Sequence, residues 1–498
     1  MATYLGLDLG TTAAKGVILS DDGRVVARAR VPHPHVPDTG AHRPSPRAWE
    51  QSLQAVCRQL SRQLEGISAV GLATHCPAVI PLDALGSPVG AALTWDDPSL
   101  AGYLAAVASR RSPRMLAATG NHPAPSTTMA LAHHYFRDHD PTAFAALRWL
   151  GFVGTWLGAQ LTGIVATDPT QASYSGVYDV VGPLGGWLPE AAEELAITGS
   201  TLPPVRSPLD VLGATTTPFA ISLGLPAGVP VVVGSADTPA TAHALGYAPL
   251  LSLGTTHVVS GERSSPDRRS RVLQRCGIRA GQWLVNGVFN GGTALSAAAA
   301  LAGLSGTGGV GELVRRGAGI NPGCRPDDLV FIPHVAAERG PLWLDRPAAG
   351  FLGLSTATTH EQLAAAVVDG VAFADRLVLE ATLAPSDDPV FLTGAFSDDL
   401  ALPQRIADLT GRCFRVLTEP DLPAIGVAMM AAEAVAGAAT PFRPATSLLE
   451  PGGDRAGVDQ AWSAFLDAWA LVTGVDPMSI LSRVPTDPAP TPAERPTT

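Results

Sequence analysis

The phrase Leu7-Asp8-Leu9-Gly10-Thr11-Thr12 returns about half the chain later as Leu251-Ser252-Leu253-Gly254-Thr255-Thr256. A repeat of this kind marks a duplicated domain and restricts the chain to folds built from two related halves. In each copy an apolar or alternating run, residues 3–9 and 249–253, reads as a strand entering Gly-Thr-Thr. Residues 16–19 and 257–259 read as the returning strands. Two strands joined by a tight glycine turn make a β-hairpin. Glycine lets a backbone come close to a ligand, and exposed amides with two hydroxyls at the turn suit a phosphate. Two such hairpins facing each other would grip one polyphosphate from both sides.

The chain has 498 residues, which exceeds one ordinary core, so two domains are expected. A net charge of −11 without a basic patch argues against a nucleic-acid partner. The N-terminus enters a strand directly, with no charged and apolar leader, so no signal peptide is expected. No uninterrupted apolar run reaches about 18 residues, so no membrane span is expected. The five cysteines (Cys57, Cys76, Cys276, Cys324, Cys413) are scattered without CxxC spacing. That pattern fits reduced thiols in a cytoplasmic protein better than a disulfide framework or a zinc site.

Along the first half, residues 1–30 read as a strand meander, 49–64 as a helix and 69–73 as a buried strand. Residues 32–46 form a Pro/His-rich loop, and 113–213 look like an insertion. A further buried strand at 229–234 closes this half. The second half reads as the repeated hairpin, a helix from near Thr293, a strand at 330–333 and a long amphipathic helix at 361–383. A strand at 389–392, a helix at 402–409 and a small-residue helix at 424–438 follow. Small residues of that density suit a helix lying close to another backbone. The tail from Pro485 is Pro/Thr-rich and is expected to be disordered.

Several residues carry both a chemical and a plain structural reading. Asp8, at a strand end before Gly-Thr-Thr, suits holding a hydrated magnesium against phosphate oxygens, or simply forming the turn. Lys15, the only lysine, is either an ammonium near phosphate or a solvated strand residue. Asp237 follows the strand at 229–234 and opens an alanine-rich helix. It reads as a capping residue or as a general base taking the proton of an attacking hydroxyl. The adjacent second hairpin favours the base. His75 and Cys76 follow a strand, as do Trp95, Asp96 and Asp97; strand ends of open α/β sheets are where ligands bind. An indole with carboxylates suits a polyol. No Walker-type P-loop, HExxH or GxGxxG opening a βαβ unit is present.

Together these motifs, over about residues 3–440, resemble the FGGY family of carbohydrate kinases, and within it the xylulokinase group. The first hairpin with Asp8, Thr11, Thr12 and Lys15 is similar to that family's N-terminal phosphate motif. The segments at 71–78 and 94–97 are similar to its sugar loops. Thr167-Asp168, Asp237, the hairpin at 253–256, Phe331-Ile332-Pro333 with Glu338-Arg339, and 369–373 follow in the family's order. The resemblance implies an α/β fold of two actin-like (ribonuclease H-like) domains with a central cleft, closing on MgATP and a sugar. It implies a sugar-binding N-terminal domain at 1–245, a nucleotide-binding C-terminal domain at 246–445 and an extension at 446–498. Asp237 would be the base and Asp8 the magnesium carboxylate. Gly10, Thr11, Thr12, Lys15, Gly254, Thr255, Thr256, Gly291, Gly394 and Ala395 would hold the nucleotide. His75, Cys76, Trp95, Asp96, Asp237 and Thr238 would meet the substrate. Family members are commonly dimers.

The departures fall in the sugar pocket and the adenosine loop. His75-Cys76-Pro77-Ala78 stands where xylulokinases carry Gln-Met-His-Gly, and Asp96 and Ser99 stand where they carry Asn and Arg. Thr238 follows the base where Asn or Gln is usual, and Phe396 stands where the family has a glycine-rich adenosine loop. Without an added basic residue in the sugar loops, a neutral sugar or polyol is the expected acceptor. The competing expectation is a sugar- or nucleotide-binding protein that kept the fold and lost catalysis, with Phe396 as the cause.

Overall fold

The computed structural model describes residues 1–34, 44–95, 97–123, 128–182, 185–269, 271–304, 306, 308–320, 328–396, 399–437, 440–452 and 455–481. Asp96, Cys324, Ser397, Asp398, most of the Pro/His-rich loop and the tail from Pro485 lie outside the described residues.

Both repeats form hairpins. Thr3–Leu9 pairs antiparallel with Ala13–Ser20, and Leu250–Leu253 pairs antiparallel with His257–Arg263. Each hairpin is central to a seven-stranded sheet among the described residues. In the first sheet Val25–Pro32 extends the antiparallel side, while Ile67–Thr74 runs parallel to Thr3–Leu9. In the second, Trp283–Phe289 and Leu273–Cys276 extend the antiparallel side, while Val390–Gly394 runs parallel to Leu250–Leu253. The duplication read in two short phrases is therefore a duplication of sheet topology.

The helix expected over 49–64 is two helices, Pro46–Gln59 and Ser61–Leu64, interrupted where Leu60 leaves helical geometry. The strand expected over 229–234 is shorter. Pro230–Val232 ends before Gly234, whose φ of +78° turns the chain, and Ser235–Ala236 then pairs with Ile67–Thr74. The long helix is His360–Thr382, entered through a capping box formed by Thr359 and Gln362.

The small-residue helix is Leu422–Ala436, and its packing explains its composition. It belongs to the second half in sequence but lies on the first sheet. A Cβ on Gly6 would stand 1.8 Å from the Ala424 carbonyl, and one on Gly71 would stand 1.9 Å from that of Val427. On its other side, a Cβ on Gly426 would stand 1.9 Å from the Ala240 carbonyl in helix Asp237–Ala244. One apolar cluster accordingly draws Tyr4, Val17 and Ala69 from the first half together with Leu422, Ala424 and Ile425. The two halves are joined by a core.

Residues 446–481, expected as an extension, are built into the second half. Thr446–Leu449 is the edge strand of its sheet, and Trp462, Phe465 and Trp469 of helix Arg455–Thr473 enter its core.

Candidate active site

The first hairpin turn closes with a hydrogen bond from Gly10 N–H to the Ala13 carbonyl, leaving Thr11 and Thr12 exposed. Its register sets Asp8 opposite Lys15. Lys15 Nζ lies 2.6 Å from Asp8 Oδ2, while Asp8 Oδ1 is buried with no hydrogen-bond partner among the described residues. Burial pushes the Asp8 carboxyl up to about 6; Lys15 opposes that shift and Asp237 and Asp421 add to it. An orphaned carboxylate oxygen beside a turn of exposed amides and hydroxyls fits a cation held jointly with phosphate oxygens. No cluster of three or more candidate ligands occurs among the described residues.

The second hairpin turn is pressed against the start of helix Gly291–Leu301. Thr293 N–H donates to the Thr255 carbonyl at 3.0 Å, and a Cβ on Gly292 would stand 2.1 Å from the Gly254 carbonyl. Gly291 sits over the His257 ring, which is hydrogen-bonded through Nδ1 to buried Asp375 at 2.9 Å. Gly394 has φ of +119°, with its Cβ position 2.2 Å from the Leu253 carbonyl, and Ala395 N–H donates to that same carbonyl. Gly254, Thr255, Gly291, Gly394 and Ala395 thus converge on one turn beside a helix N-terminus, whose dipole favours phosphate. The Phe396 ring packs against the second core, 6.4 Å from the His257 ring centroid.

Asp237 opens helix Asp237–Ala244 and is half-buried. Thr238 donates to Asp237 Oδ1 from its backbone N–H at 2.7 Å and its hydroxyl at 3.3 Å. Oδ2 takes no part in either bond. Asp237, Thr238 and Thr241 line a cavity of about 310 Å³ whose other walls include Ser252, Ser260 and Thr393 of the second half and Asp421. The cavity therefore spans the junction between halves, with Asp237 on one wall and a strand of the second hairpin on another.

Three stretches distant in sequence carry the remaining predicted substrate residues and their neighbours. His75 Nδ1 and N–H both lie 2.9 Å from the Leu9 carbonyl, tying this segment to the first hairpin. Burial pushes the Cys76 thiol up to about 12, against the pull of Arg275 and with Asp237 and Asp168 adding to it, so Cys76 is an inert neutral wall. Trp95 is half-buried beneath the Arg339 guanidinium, which lies 4.6 Å from its ring centroid. Asp97 is absorbed by capping, accepting from Ser99 N–H and hydroxyl, so Ser99 is a cap partner. Asp168 is fully buried and accepts from Thr170 and Gln171. Thr170 Oγ1 in turn accepts from Ala236 N–H at 2.9 Å, so Asp168 holds the residue before Asp237 from behind.

Sequence reasoning did not find Thr170, Tyr174 or Arg275. Strand Leu273–Cys276 is stitched to the first half on both sides of Arg275: Gln274 N–H donates to Asn121 Oδ1 and Cys276 N–H to Ser173 Oγ. Arg275 is only 4% exposed and stacks 4.1 Å above the Tyr174 ring. Its available signal was a charged residue inside a short strand otherwise fit for burial.

Residues 3–244 match the N-terminal domain of the FGGY family of carbohydrate kinases, and residues 250–435 match the C-terminal domain. The chain belongs to the FGGY family of carbohydrate kinases. It is 29% identical over 446 residues to the xylulose kinase of Streptomyces rubiginosus, covering 87% of this chain and 88% of that protein. It is 27% identical over 446 residues to the xylulose kinase of Escherichia coli (strain K12), covering 86% and 89%. The crystal structure of xylulose kinase from Rhodospirillum rubrum shares the fold with a TM-score of 0.80 at 24% identity, covering 94% of this chain and 98% of that one. This FGGY kinase is therefore an α/β enzyme of two actin-like (ribonuclease H-like) domains, a phosphotransferase that uses ATP as donor and a sugar-class alcohol as acceptor. No helix among the described residues is long and apolar enough to cross a membrane.

Proposed function

We propose that this kinase phosphorylates a hydroxyl of a small sugar or polyol, with Asp237 as general base and Asp8 as the carboxylate on the magnesium side. The observation that carries this reading is the placement of Asp237 on the wall of a junction cavity, with Thr238 engaging only Oδ1. Oδ2 is then the oxygen that takes the acceptor proton. The acceptor oxygen forms its bond to phosphorus as the bond between that phosphorus and the ADP leaving oxygen breaks; the proton ends on Asp237. MgATP, when bound, supplies the phosphoryl group and a cation that screens its charge.

The chain's own contribution to the phosphate is the two hairpin turns. Gly10, Thr11 and Thr12 on one side and Gly254, Thr255 and Thr256 on the other offer amides and hydroxyls to developing negative charge. Lys15 steadies Asp8 and adds a positive charge at the same turn. Residues 1–245 and 246–445 serve as the two closing domains, and closure excludes water as a rival acceptor. The ring of Phe396, packed against the second core, leaves the adenosine loop's backbone to meet the nucleotide. Xylulose is the sugar named in the xylulose kinase relatives, so D-xylulose is the first ketose to try, and the cytoplasm is the compartment where ATP and reduced thiols coexist.

The test is a coupled ADP-release assay with MgATP over ketoses, aldoses, alditols and cyclitols. Turnover that disappears in Asp237→Asn and Asp8→Ala supports the assignment. Near-normal turnover in Asp237→Asn would remove the base role.

A further inference from the structure

A buried guanidinium with unmet donors marks the acceptor side of the cleft. Arg275 is 4% exposed, yet Nε and Nη1 are buried without a hydrogen-bond partner among the described residues. Its flat face is occupied by Tyr174, whose hydroxyl accepts from Asn286 Nδ2 at 3.2 Å. Cation–π stacking of this kind fixes a guanidinium plane but leaves its in-plane N–H groups to seek oxygen acceptors. Burying such donors unpaired is unfavourable, so the fold holds Arg275 ready for oxygens supplied from outside the chain.

The position of Arg275 is as constrained as its charge. Hydrogen bonds from Gln274 to Asn121 and from Cys276 to Ser173 clamp its strand against the first half on both sides. The facing segment also contains Asp168 and Thr170, the latter holding Ala236 N–H. Arg275 is near enough to Asp237 for that carboxylate's charge to act on it; burial works against the guanidinium, and Tyr174, Cys76 and Asp237, with a hydrogen bond to Tyr174, outweigh that to raise its proton affinity. A second cation stands on the same side. Arg339 covers Trp95; burial works against its charge, while the same Tyr174 and the neighbouring Glu338 support it. Tyr174 is thus common to both arginines, and Asp237 acts on the first of them.

We propose that the acceptor is a polyhydroxy acid, its carboxylate received by Arg275 and Arg339 while a hydroxyl at its other end reaches Asp237. The proposal rests on the kinase reading above and replaces the neutral acceptor expected from Ser99. Loss of the family's arginine there does not empty the pocket of positive charge, because Arg275 arrives from the second half. A carboxylate presents two oxygens in one plane and matches guanidinium donors, whereas a neutral alditol offers either arginine only hydroxyl oxygens.

The test compares matched acceptors on the full chain in the same ADP-release assay: D-gluconate against D-glucitol, D-xylonate against xylitol, with D-xylulose and D-fructose 6-phosphate alongside. The expected result is a kcat/KM for one acid at least about tenfold above that of its alditol and of D-xylulose, a difference of one decade. In Arg275→Gln the KM for that acid should rise at least about tenfold and the acid-to-alditol ratio should fall towards one. Arg275→Lys, which keeps the charge and loses the planar donors, should restore only part of the preference. Preference for D-xylulose or an alditol overturns the proposal while leaving the kinase reading intact, and preference for the sugar phosphate overturns it in favour of a phosphate ligand. No turnover with any acceptor overturns both. The wild-type acid-to-alditol ratio decides the matter even if Arg275→Gln fails to fold.

Discussion

Lys15 Nζ sits 2.6 Å from Asp8 Oδ2 across the first hairpin, and Asp8 is 1% exposed. The pair is the only cross-strand use of the chain's single lysine, and it joins a structural need to a chemical one. The ammonium compensates a carboxylate taken out of water, and it stands within 3.3 Å of where a Gly10 Cβ would be, beside the turn's amides.

Lys15→Met should be costly because it strands the buried Asp8 charge. Removing one partner of a buried pair typically costs about 3–5 kcal/mol. Urea unfolding should show a loss of that order, and Asp8→Asn combined with Lys15→Met should recover more than half of it. A Lys15→Met loss below about 1 kcal/mol, the range of exposed pairs, would mean that Lys15 is not the carboxylate's counter-charge.

Thr170→Val probes how Asp237 is held. The substitution preserves volume but removes the oxygen that accepts from Ala236 N–H and the hydroxyl that donates to Asp168. Leaving that buried N–H unpaired should cost about 1–3 kcal/mol. Because the next residue is Asp237, kcat should fall about tenfold or more while the KM for ATP stays near its original value. A destabilised variant with unchanged kcat would show that the loop supports the fold without positioning the base.

What was legible in the sequence was local. Gly-Thr-Thr between two apolar runs specifies a hairpin within about ten residues of chain, so both hairpin turns could be placed from the letters alone. The hairpin register also contains the Asp8–Lys15 pair, since closing the turn on Gly10 and Ala13 sets those two residues opposite each other. The composition of 424–438 carried close backbone packing, although not which backbone. What was not legible depends on contacts between segments far apart in the chain. Arg275 stacks on Tyr174 across a hundred residues, and nothing in either neighbourhood announces the other. The role of Asp97 was likewise decided by capping geometry, which commits its carboxylate to Ser99 just as that of Asp168 is committed to Thr170 and Gln171.

Gly426→Ala should be far more damaging than its size suggests. Its Cβ would stand 1.9 Å from the Ala240 carbonyl, an approach that forces helix Leu422–Ala436 away from helix Asp237–Ala244. Overpacking of this kind costs about 1–3 kcal/mol, and the backbone-to-backbone clash places Gly426→Ala at or beyond the upper end. Gly66→Ala is the control, because nothing lies within 4 Å of the added carbon. Denaturant midpoints should therefore separate the two variants clearly. Equal stabilities would mean that the helices slide apart freely, and the tight glycine contact would lose its role in fixing the halves.

His243 gives the fold an acid limit of calculable sign. It is buried on helix Asp237–Ala244, with Nδ1 3.0 Å from the Tyr247 hydroxyl and Nε2 3.7 Å from Glu433. Burial pulls its pKa down from 6.5 to about 4; Glu433 opposes that shift and Arg279 adds to it. The folded state thus keeps the imidazole neutral over a range in which the unfolded chain binds a proton. Stability is full above about pH 6.5 and falls as the pH drops towards about 4, by about 3 kcal/mol for a shift of this size. Urea unfolding at pH 7.5, 5.5 and 4.5 should show that decline, and His243→Phe should flatten part of the slope. An unchanged slope in His243→Phe would assign the acid sensitivity to other groups and leave His243 an ordinary neutral core residue.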